Sequence, residues 1–575
     1  MARQRLDGAA GRSILRGVSL ALNFYLLDVR PFWLATILVV ANTAALTWTW
    51  RRSAEASRFS NDTDTGARGF SRAFIPALAI SLLFAAAHAW LTQILTIPID
   101  AQRADMLVVV QLGIRRLLQG HTPYTIYRVP WDVTLPYGPV MWAPMIVPFL
   151  LHADIRFATI VGALFVPAAC ALAAVRAARR DLSTATAWLL VCAAIAFNGD
   201  LRQFIAIGHT PAYWPLLPLF AWALARERWV AAAIFCGLLI VARTTMVSLT
   251  PALLMAVWQR AGAAGAERTR RASFAYVVVA LAAAVALPLL PFAVVDLASL
   301  KFAFYTSYQN VIKGFVWTST NWVQNTVGTT GLLLARGWTS AVEPVQIATL
   351  LAVSLATWAR LRRGDDAVVW SAIGLLAFSM TTLWPVVYLY FDVFLLLVSA
   401  ALVREWPDTA RVWPWWSRSL ASAALVLLVV TLATVPMRAS IDVGTPAARP
   451  WLYAGFSGDE RADRDYAWID GTRAKLLVPS LLRRDATIEM VCEPYLVAGG
   501  RQQLTAALNT IVLGTVEIAD GWQRVSFRAP ARAWQIGGNE LELFLASATA
   551  PRDAGEGSDT RRLSLAVDRL NVIAR

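Results

Sequence analysis

Charge is scarce in this chain. Of its 575 residues only 15% are Asp, Glu, Lys or Arg, against about 25% in a soluble globular protein. Lysine is nearly missing and stands only at Lys301, Lys313 and Lys475. Of the four cysteines, Cys170, Cys192 and Cys236 sit inside apolar runs and Cys492 stands alone. They supply neither a disulfide framework nor a Cys-x-x-Cys metal site, and no His/Cys/Asp cluster has metal-ligand spacing. No Walker loop or dinucleotide fingerprint follows a strand, so a bound nucleotide is not expected. There is no internal repeat and no low-complexity segment. Arg3, Arg5, Arg12 and Arg16 lead into apolar sequence without a small-residue cleavage site, so no cleavable signal peptide is expected. These absences exclude an ordinary soluble enzyme, a disulfide-stapled secreted scaffold, and a disordered or fibrous chain.

What is present is apolar. Hydrophobic residues make up 57% of the chain and the mean hydropathy is +0.53. The composition fits a polytopic helical membrane protein. The net charge of +15 comes almost entirely from arginine. Those arginines fall in short clusters between apolar runs, so they read as topology signals rather than as a nucleic-acid surface, and no nucleic-acid partner is expected.

A membrane-spanning helix needs about 20 apolar residues. Residues 73–96, 157–175, 184–198, 210–225, 273–295, 344–361, 367–386, 387–403 and 419–436 qualify as candidates. Residues 14–29 and 31–50 read as an N-terminal hairpin, with a surface-lying helix plus one span as the alternative. The 30 residues of 229–258 are long for one span and short for two, and basic loops flank both ends. They read as a hairpin of two short helices with Arg243, Thr244 and Thr245 near its tip. The total is about 11 to 13 spans.

The basic clusters Arg51–Arg72, Arg176–Arg180, Arg268–Arg271 and Arg360–Arg363 set the cytoplasmic side. Residues 97–156 then form a long loop on the far side, with further far-side loops at 198–209 and 296–343. Within the first loop, Tyr137–His152 carries Pro139, Pro144 and Pro148. Proline removes helical hydrogen bonds, so this piece reads as a half-buried juxtamembrane helix.

After residue 436 the long apolar runs stop and alternation begins. Thr487–Glu493, Ile511–Val516, Trp522–Phe527, Glu540–Leu545 and Leu563–Val572 read as short strands. Gly499-Gly500, Gly521 and Gly537-Gly538 lie between or beside them as turn signals. The spacing predicts a β-sandwich over 437–575, exported because the span before it ends outward. The fold class is therefore a helical transmembrane bundle over 1–436 followed by a β-sandwich.

Asp105 is the first residue that carries chemistry. It follows the first outward helix, at the membrane surface, where partial desolvation raises a carboxylate's basicity toward that of a general base. The competing reading is a helix cap, because Asp105 also precedes an apolar helical stretch.

The order of motifs carries a resemblance. Asp105 is followed by a helix ending in Gly120-His-Thr-Pro123-Tyr124, then by Tyr137-Gly-Pro139 opening a proline-rich apolar stretch. This pattern resembles the first periplasmic loop of GT-C superfamily glycosyltransferases, above all the polyprenol-phosphate-mannose-dependent mannosyltransferases and related arabinofuranosyltransferases. Trp229–Trp258 is similar to the family's Gly-rich helix followed by a basic residue, here Arg243. Asn321 and Asn325 resemble the family's Asn-containing periplasmic loop. The resemblance covers roughly residues 73–403. It departs near Ser379–Tyr390, where those mannosyltransferases often show Ser-Pro-x-x-Trp followed by histidine; this chain has Trp384-Pro385-Val386-Val387-Tyr388 and no histidine.

The resemblance implies a GT-C transmembrane fold in a bacterial inner membrane with the sandwich, similar to jelly-roll carbohydrate-binding modules, in the periplasm. It implies a polyprenyl-phosphate monosaccharide as donor, with no further cofactor, and transfer with inversion to a hydroxyl of a glycan, glycolipid or protein. Asp105 would take the acceptor proton. Tyr124, Tyr137, Asn321, Asn325, Trp384 and Tyr388 would surround sugar and acceptor. The leaving polyprenyl phosphate is an anion and needs positive groups where a lower dielectric strengthens them. The candidates are Arg202, His209, Arg243, Lys301, Lys313 and Arg336.

Each candidate has a plainer reading. Arg202 pairs with Asp200, His209 caps the next helix, and Lys301 and Lys313 snorkel to lipid head groups. An arginine inside an apolar hairpin is costly in lipid, so Arg243 should face a partner or a cavity. Asp392 either orients a basic group or is solvated at its helix end. Far-side aromatic rings serve either as sugar platforms or as an interfacial belt. In the sandwich, Trp468, Trp522 and Trp534 either stack on glycan or pack the core, and the domain would lie over 97–156 and guide the acceptor. Two further functions compete with transfer: transport or flipping of lipid-linked sugars, and non-catalytic glycan assembly.

Overall fold

The structure, a computed structural model, describes residues 2–26, 32–56, 68–129, 131–178, 181–208, 211–260, 267–363, 366–405, 440–480, 483–497 and 500–574. They divide into two compact units. The first comprises residues 2–90, 105–146 and 158–405. The second comprises Leu91–Ala104, Val147–Phe157 and the residues from Ser440 onward. The expected boundary at 436/437 and the expected span at 419–436 lie outside the described residues.

The first unit is helical. Its helices α1 (Ala2–Leu26) and α2 (Phe32–Ala56) pair as the N-terminal hairpin, and α3 (Arg68–Leu95) follows. Next come α4 (Asp105–Leu118), the two-stranded ribbon β1 (Ile126–Val129) and β2 (Trp131–Thr134), and the short pieces α5 (Pro139–Trp142) and α6 (Ile146–Leu150). Prolines at 139, 144 and 148 keep this last stretch in short turns. Then α7 (Arg156–Ala177) and α8 (Leu182–Phe197) run into α9 (Gly199–Ile207) with a 49° bend. After them come α10 (Leu216–Ala225), α11 (Trp229–Ala242), α12 (Thr250–Arg260) and α13 (Glu267–Lys301). The unit continues with α14 (Ser307–Val311), α15 (Thr320–Gln324), α16 (Gly328–Ala335), α17 (Val342–Leu361), α18 (Ala367–Thr381) and α19 (Leu389–Glu405). Side-chain caps start several of these helices. Asp181 accepts from the Ser183 and Thr184 amides at α8, and Asp366 from the Val368 and Val369 amides at α18.

Among the described residues four helices are long and apolar enough to cross a bilayer: Phe74–Leu95, Arg156–Ala177, Arg271–Val316 and Thr339–Leu361. The bent pair α8 and α9 makes up to five. Ser13–Leu26, Leu34–Thr47, Pro139–Leu150, Leu216–Ala225, Trp229–Ala242 and Ala367–Thr381 are shorter apolar helices. The count of about 11 to 13 read from hydropathy included most of these short elements, which a 20-residue criterion excludes. The 229–258 stretch folds as the expected hairpin: α11 and α12 are joined by a 3₁₀ turn, Thr244–Leu249, with Arg243 at its start. At the centre lies α19, buried on nearly every side from Leu389 to Val403, as a helix apolar all round should be. It packs on α10 and α18.

Two expected loops are helical instead. Residues 199–207 form α9 because Asn198, though extended itself, accepts from the Leu201 amide at 2.7 Å and restarts the helix. Its side-chain Nδ2 also donates to the Phe24 carbonyl at 2.8 Å. Beyond 295, a kink at Asp296 (φ −159°, ψ 90°) is followed at once by a new start, where the Asp296 carboxylate accepts from the Ser299 amide and hydroxyl. Helix then runs through the wide π turns Phe302–Thr306 and Ile312–Val316. Lys301 and Lys313 therefore ride on one helical arm.

In the second unit the strands are β3 (Ser440–Asp442), β4 (Leu452–Ala454), β5 (Phe456–Arg461), β6 (Asp465–Asp470), β7 (Arg473–Ser480), β8 (Ala486–Pro494), β9 (Gln502–Leu508), β10 (Ile511–Ile518), β11 (Gln523–Ala529), β12 (Gly537–Leu545) and β13 (Leu563–Ala574). They form two antiparallel sheets, β10-β9-β12-β7-β4 and β11-β8-β13-β6-β5, with β3 added on β13. All five strands read from alternation are present. Along β8, alternate residues from Ala486 to Pro494 are buried, which is the period-2 signature of a sheet with one face on a core. Trp534 is buried in that core.

Both stems of the 97–156 loop belong to this unit. The Asp154 amide donates to the Ile536 carbonyl at 2.8 Å, and the Ile536 amide donates to the His152 carbonyl at 2.9 Å. Arg156 grips the Asp154 carboxylate through Nε and Nη2 at 2.9 and 2.6 Å, and its Nη1 reaches the Ile97 carbonyl at 2.8 Å. The Arg103 guanidinium lies 4.8 Å over the Tyr453 ring.

Candidate functional site

Asp105 opens α4, whose apolar residues Leu107, Val109, Val110 and Ile114 are buried while its polar face is not. The carboxylate Oδ1 accepts from the Met106 amide at 2.7 Å. Burial raises the Asp105 carboxyl above the ordinary aspartate value, and the Met106 bond opposes that shift. The helix start is fixed by a close approach: α9 ends at Gly208 (φ +90°), where a Cβ would fall 2.0 Å from Leu107 Cγ. Only glycine serves both the left-handed backbone and that contact.

The Tyr137-Gly138-Pro139 turn is seated in the same way. A Cβ on Gly138 would lie 1.9 Å from the Val241 carbonyl oxygen, so this loop rests on the last turn of α11, next to Arg243. The Tyr137 carbonyl accepts from the Tyr124 hydroxyl at 3.1 Å and from Trp142 Nε1 at 3.2 Å.

Arg243 ends α11 with an extended backbone. Its Nη1 donates to Asp392 Oδ2 at 2.9 Å and to the Tyr213 hydroxyl at 3.1 Å. Tyr213 in turn donates to Asp392 at 2.7 Å, and Trp214 Nε1 donates to Asp392 Oδ1 at 2.9 Å. The Arg243 and Asp392 side chains are 8% and 1% exposed. Of the two readings of Asp392, the structure therefore shows the one in which it orients a basic group. The guanidinium carbon lies 5.0 Å over the Tyr388 ring, and Phe204 is stacked on that ring at 5.0 Å. Phe204 belongs to α9, which ends at Gly208 against Leu107, two residues after Asp105. Trp384 lies beside Tyr388, with its ring 6.0 Å from that of Trp322.

The structure thus brings Asp105, Tyr137, Arg243, Trp384 and Tyr388 into one region. Tyr124 is fully buried among Phe292 and Phe304, where it braces the Tyr137 turn. Lys313 is already matched by Glu343 at 2.5 Å and lies 5.7 Å over the Trp317 ring. Arg202 on α9, Lys301 at the end of α13 and Arg336 after α16 are exposed. Arg202 forms no ion pair with Asp200 among the described residues. Asn321 and Asn325 are exposed, and Asn325 Nδ2 donates to the Asn321 carbonyl at 2.8 Å. His209 lies outside the described residues. Tyr213 was not singled out from the sequence. Its signal was available: an intramembrane carboxylate needs several donors, and a tyrosine in an apolar run needs a partner for its hydroxyl. Among the described residues no group of three or more His, Cys, Asp or Glu side chains is arranged to hold a metal ion.

No protein-family model matches the chain, and no curated protein matches it. A solved family 35 carbohydrate binding module from an environmental isolate matches 21% of this chain and 90% of its own, at 14% identity and a TM-score of 0.15.

Proposed function

We propose that this chain is an integral-membrane glycosyltransferase of the GT-C type. It moves a monosaccharide from a polyprenyl-phosphate donor to an acceptor hydroxyl on the periplasmic face of a bacterial inner membrane. Asp105 accepts the acceptor proton, and the freed oxygen attacks the anomeric carbon from the face opposite the phosphate. The anomeric C–O bond breaks, and polyprenyl phosphate leaves with its electron pair, inverting the configuration. Arg243 meets the leaving anion. A guanidinium has five N–H donors, and the two hydrogen bonds to Asp392 and Tyr213 are made by Nη1 alone.

One observation carries this reading: the half-buried Asp105 carboxylate and the buried, oriented Arg243 guanidinium are linked through α9, whose Phe204 stacks on the Tyr388 ring that Arg243 covers and whose end at Gly208 abuts Leu107, two residues after Asp105. Proton acceptor and anion ligand held by separate elements of one region suit a displacement in which a proton leaves one side and a phosphate the other. The test supplies purified full-length protein with radiolabelled polyprenyl-phosphate sugars. Transfer, or slow donor hydrolysis, that disappears in Asp105→Asn supports the reading. Donor movement across vesicles without turnover favours transport instead, and full transfer by Asp105→Asn removes the site assignment.

A further inference from the structure

The sheet β11-β8-β13-β6-β5 has one face on the sandwich core, with Ala467, Ile469, Ile488, Met490, Cys492, Val525 and Phe527 buried. Alternation makes the opposite face polar in an ordinary antiparallel sheet. Here it is aromatic. Ala566 pairs with Trp468 on β6 and with Glu493 on β8. Gln523 pairs with Cys492, so Trp522, one residue earlier, stands beside Glu493. One row across four strands therefore reads Trp468, Ala566, Glu493, Trp522.

Tyr466 and Tyr495 complete the patch. The Tyr466 ring lies 6.0 Å from Trp468 and 5.7 Å from Trp522, and the Tyr495 ring lies 6.0 Å from Trp468. All contacts are edge-on, and all four residues remain half-exposed. An edge-on contact takes at most one face of a ring, where stacking would take a face of both, and the Arg464 guanidinium lies 4.5 Å over one face of Trp522. The frame is acidic. Burial, then Asp520 and Asp463, raise the Glu493 carboxyl above its ordinary value, with Arg464 opposing. Arg464 is matched by Asp463 and Asp568, and Arg561 by Glu460 and Asp559.

Flat aromatic faces around a half-buried hydroxyl-accepting carboxylate suit the apolar C–H faces and the O–H groups of a sugar ring. The surplus of carboxylates repels uronates, phosphates and sulfates. We infer that this outer sheet face binds a neutral glycan, with sugar rings seated on Trp468 and Trp522 and a hydroxyl donated to Glu493. The site lies in the sandwich and does not depend on the transfer chemistry.

The test is saturation-transfer NMR on purified full-length protein with four neutral hexasaccharide probes (α-1,4-glucan, β-1,4-glucan, mannan and arabinan) and hexagalacturonate as the anionic comparison. At least one neutral probe is expected to bind saturably. Trp468→Ala and Trp522→Ala should each weaken it about tenfold, the size of one lost aromatic contact. Glu493→Gln, a change that keeps the shape of a half-exposed side chain, should also weaken it and guards against misfolding of the tryptophan variants. Asp105→Asn should bind like wild type, which separates this site from the transfer site. Failure of all four neutral probes, equal binding by hexagalacturonate, or unchanged affinity in Glu493→Gln and both tryptophan variants would overturn the proposal.

Discussion

Arg243 Nη1 and Asp392 Oδ2 meet at 2.9 Å across 149 residues of sequence. Neither side chain has more than 8% of its surface open to solvent. A lone charge there would carry a large desolvation cost. The cost is offset because each partner is also held by neutral donors and acceptors: Tyr213 bonds both, and Trp214 bonds Asp392. The pair joins α11 to α19, and its geometry fixes where the guanidinium points.

Breaking the pair from one side should be severe. Asp392→Leu leaves Arg243 buried and unmatched, and an expected loss of about 3–5 kcal/mol follows from the behaviour of such half-pairs. Thermal unfolding in detergent measures it. The double variant Arg243→Met/Asp392→Leu removes both charges and should recover most of that stability while transfer stays lost. A double variant as unstable as the single one contradicts the ion-pair account. A double variant with full transfer contradicts Arg243 as the phosphate ligand.

Asp105 acts as a base only when ionised. Its carboxyl is raised by burial, so the acidic limb of kcat/KM should lie above the range of an exposed aspartate. The stability sign runs the other way. A carboxyl whose folded value is raised contributes fully below its unfolded pKa and loses that contribution as pH rises through the folded one. At neutral pH Asp105→Asn should therefore unfold at the same temperature as wild type or higher. Its transfer rate should fall by about 10²-fold or more, the usual share of a general base. A variant that is less stable than wild type at pH 7 would mark Asp105 as a structural cap.

Much of this was legible from sequence because it rests on local rules. Apolar length gave the long helices α3, α7, α13 and α17, alternation gave β8, β10, β11, β12 and β13, and the length of 229–258 between basic flanks gave the α11–α12 hairpin with Arg243 at its turn. What stayed hidden was non-local or ran against simple hydropathy. Nothing near Asp392 in the chain names Tyr213 as its partner. Strand β5 reads Phe-Ser-Gly-Asp-Glu-Arg and has too few apolar residues to alternate. The α9 segment looks like a loop until Asn198 is seen capping it. The stems of the 97–156 loop belong with a domain that starts hundreds of residues later, a pairing no window of sequence displays.

Gly138 should tolerate no side chain. A methyl group would sit 1.9 Å from the Val241 carbonyl oxygen, which is backbone and cannot rotate away. Gly138→Ala is expected to push the Tyr137 turn off α11 and to cost about 3 kcal/mol or more, at the upper end for overpacking. Gly199→Ala is the control, since nothing lies within 4 Å of the Cβ it would gain. Unfolding temperature and transfer should both drop in the first and neither in the second. Equal behaviour of the two variants would show that the loop does not rest on α11 as described.

Arg156 and Asp154 form a second deeply buried pair, 2% and 0% exposed. Arginine is required there by shape as well as charge. Nε and Nη2 span the two carboxylate oxygens while Nη1 turns to the Ile97 carbonyl, a three-way grip that a lysine ammonium on its flexible stem cannot reproduce. Arg156→Lys is therefore expected to be damaging despite conserving charge, and Arg156→Leu worse, by about 3–5 kcal/mol of local stability because Asp154 is left buried and alone. Hydrogen exchange read by mass spectrometry should show faster exchange over 147–157, at the Asp154 amide bonded to Ile536 above all, and at the Ile536 amide bonded to His152. Residues of the distant strand β10 report whether the sandwich as a whole has opened. Unchanged protection at both amides in Arg156→Leu would mean that the His152–Ile536 bonds hold the stem without the ion pair.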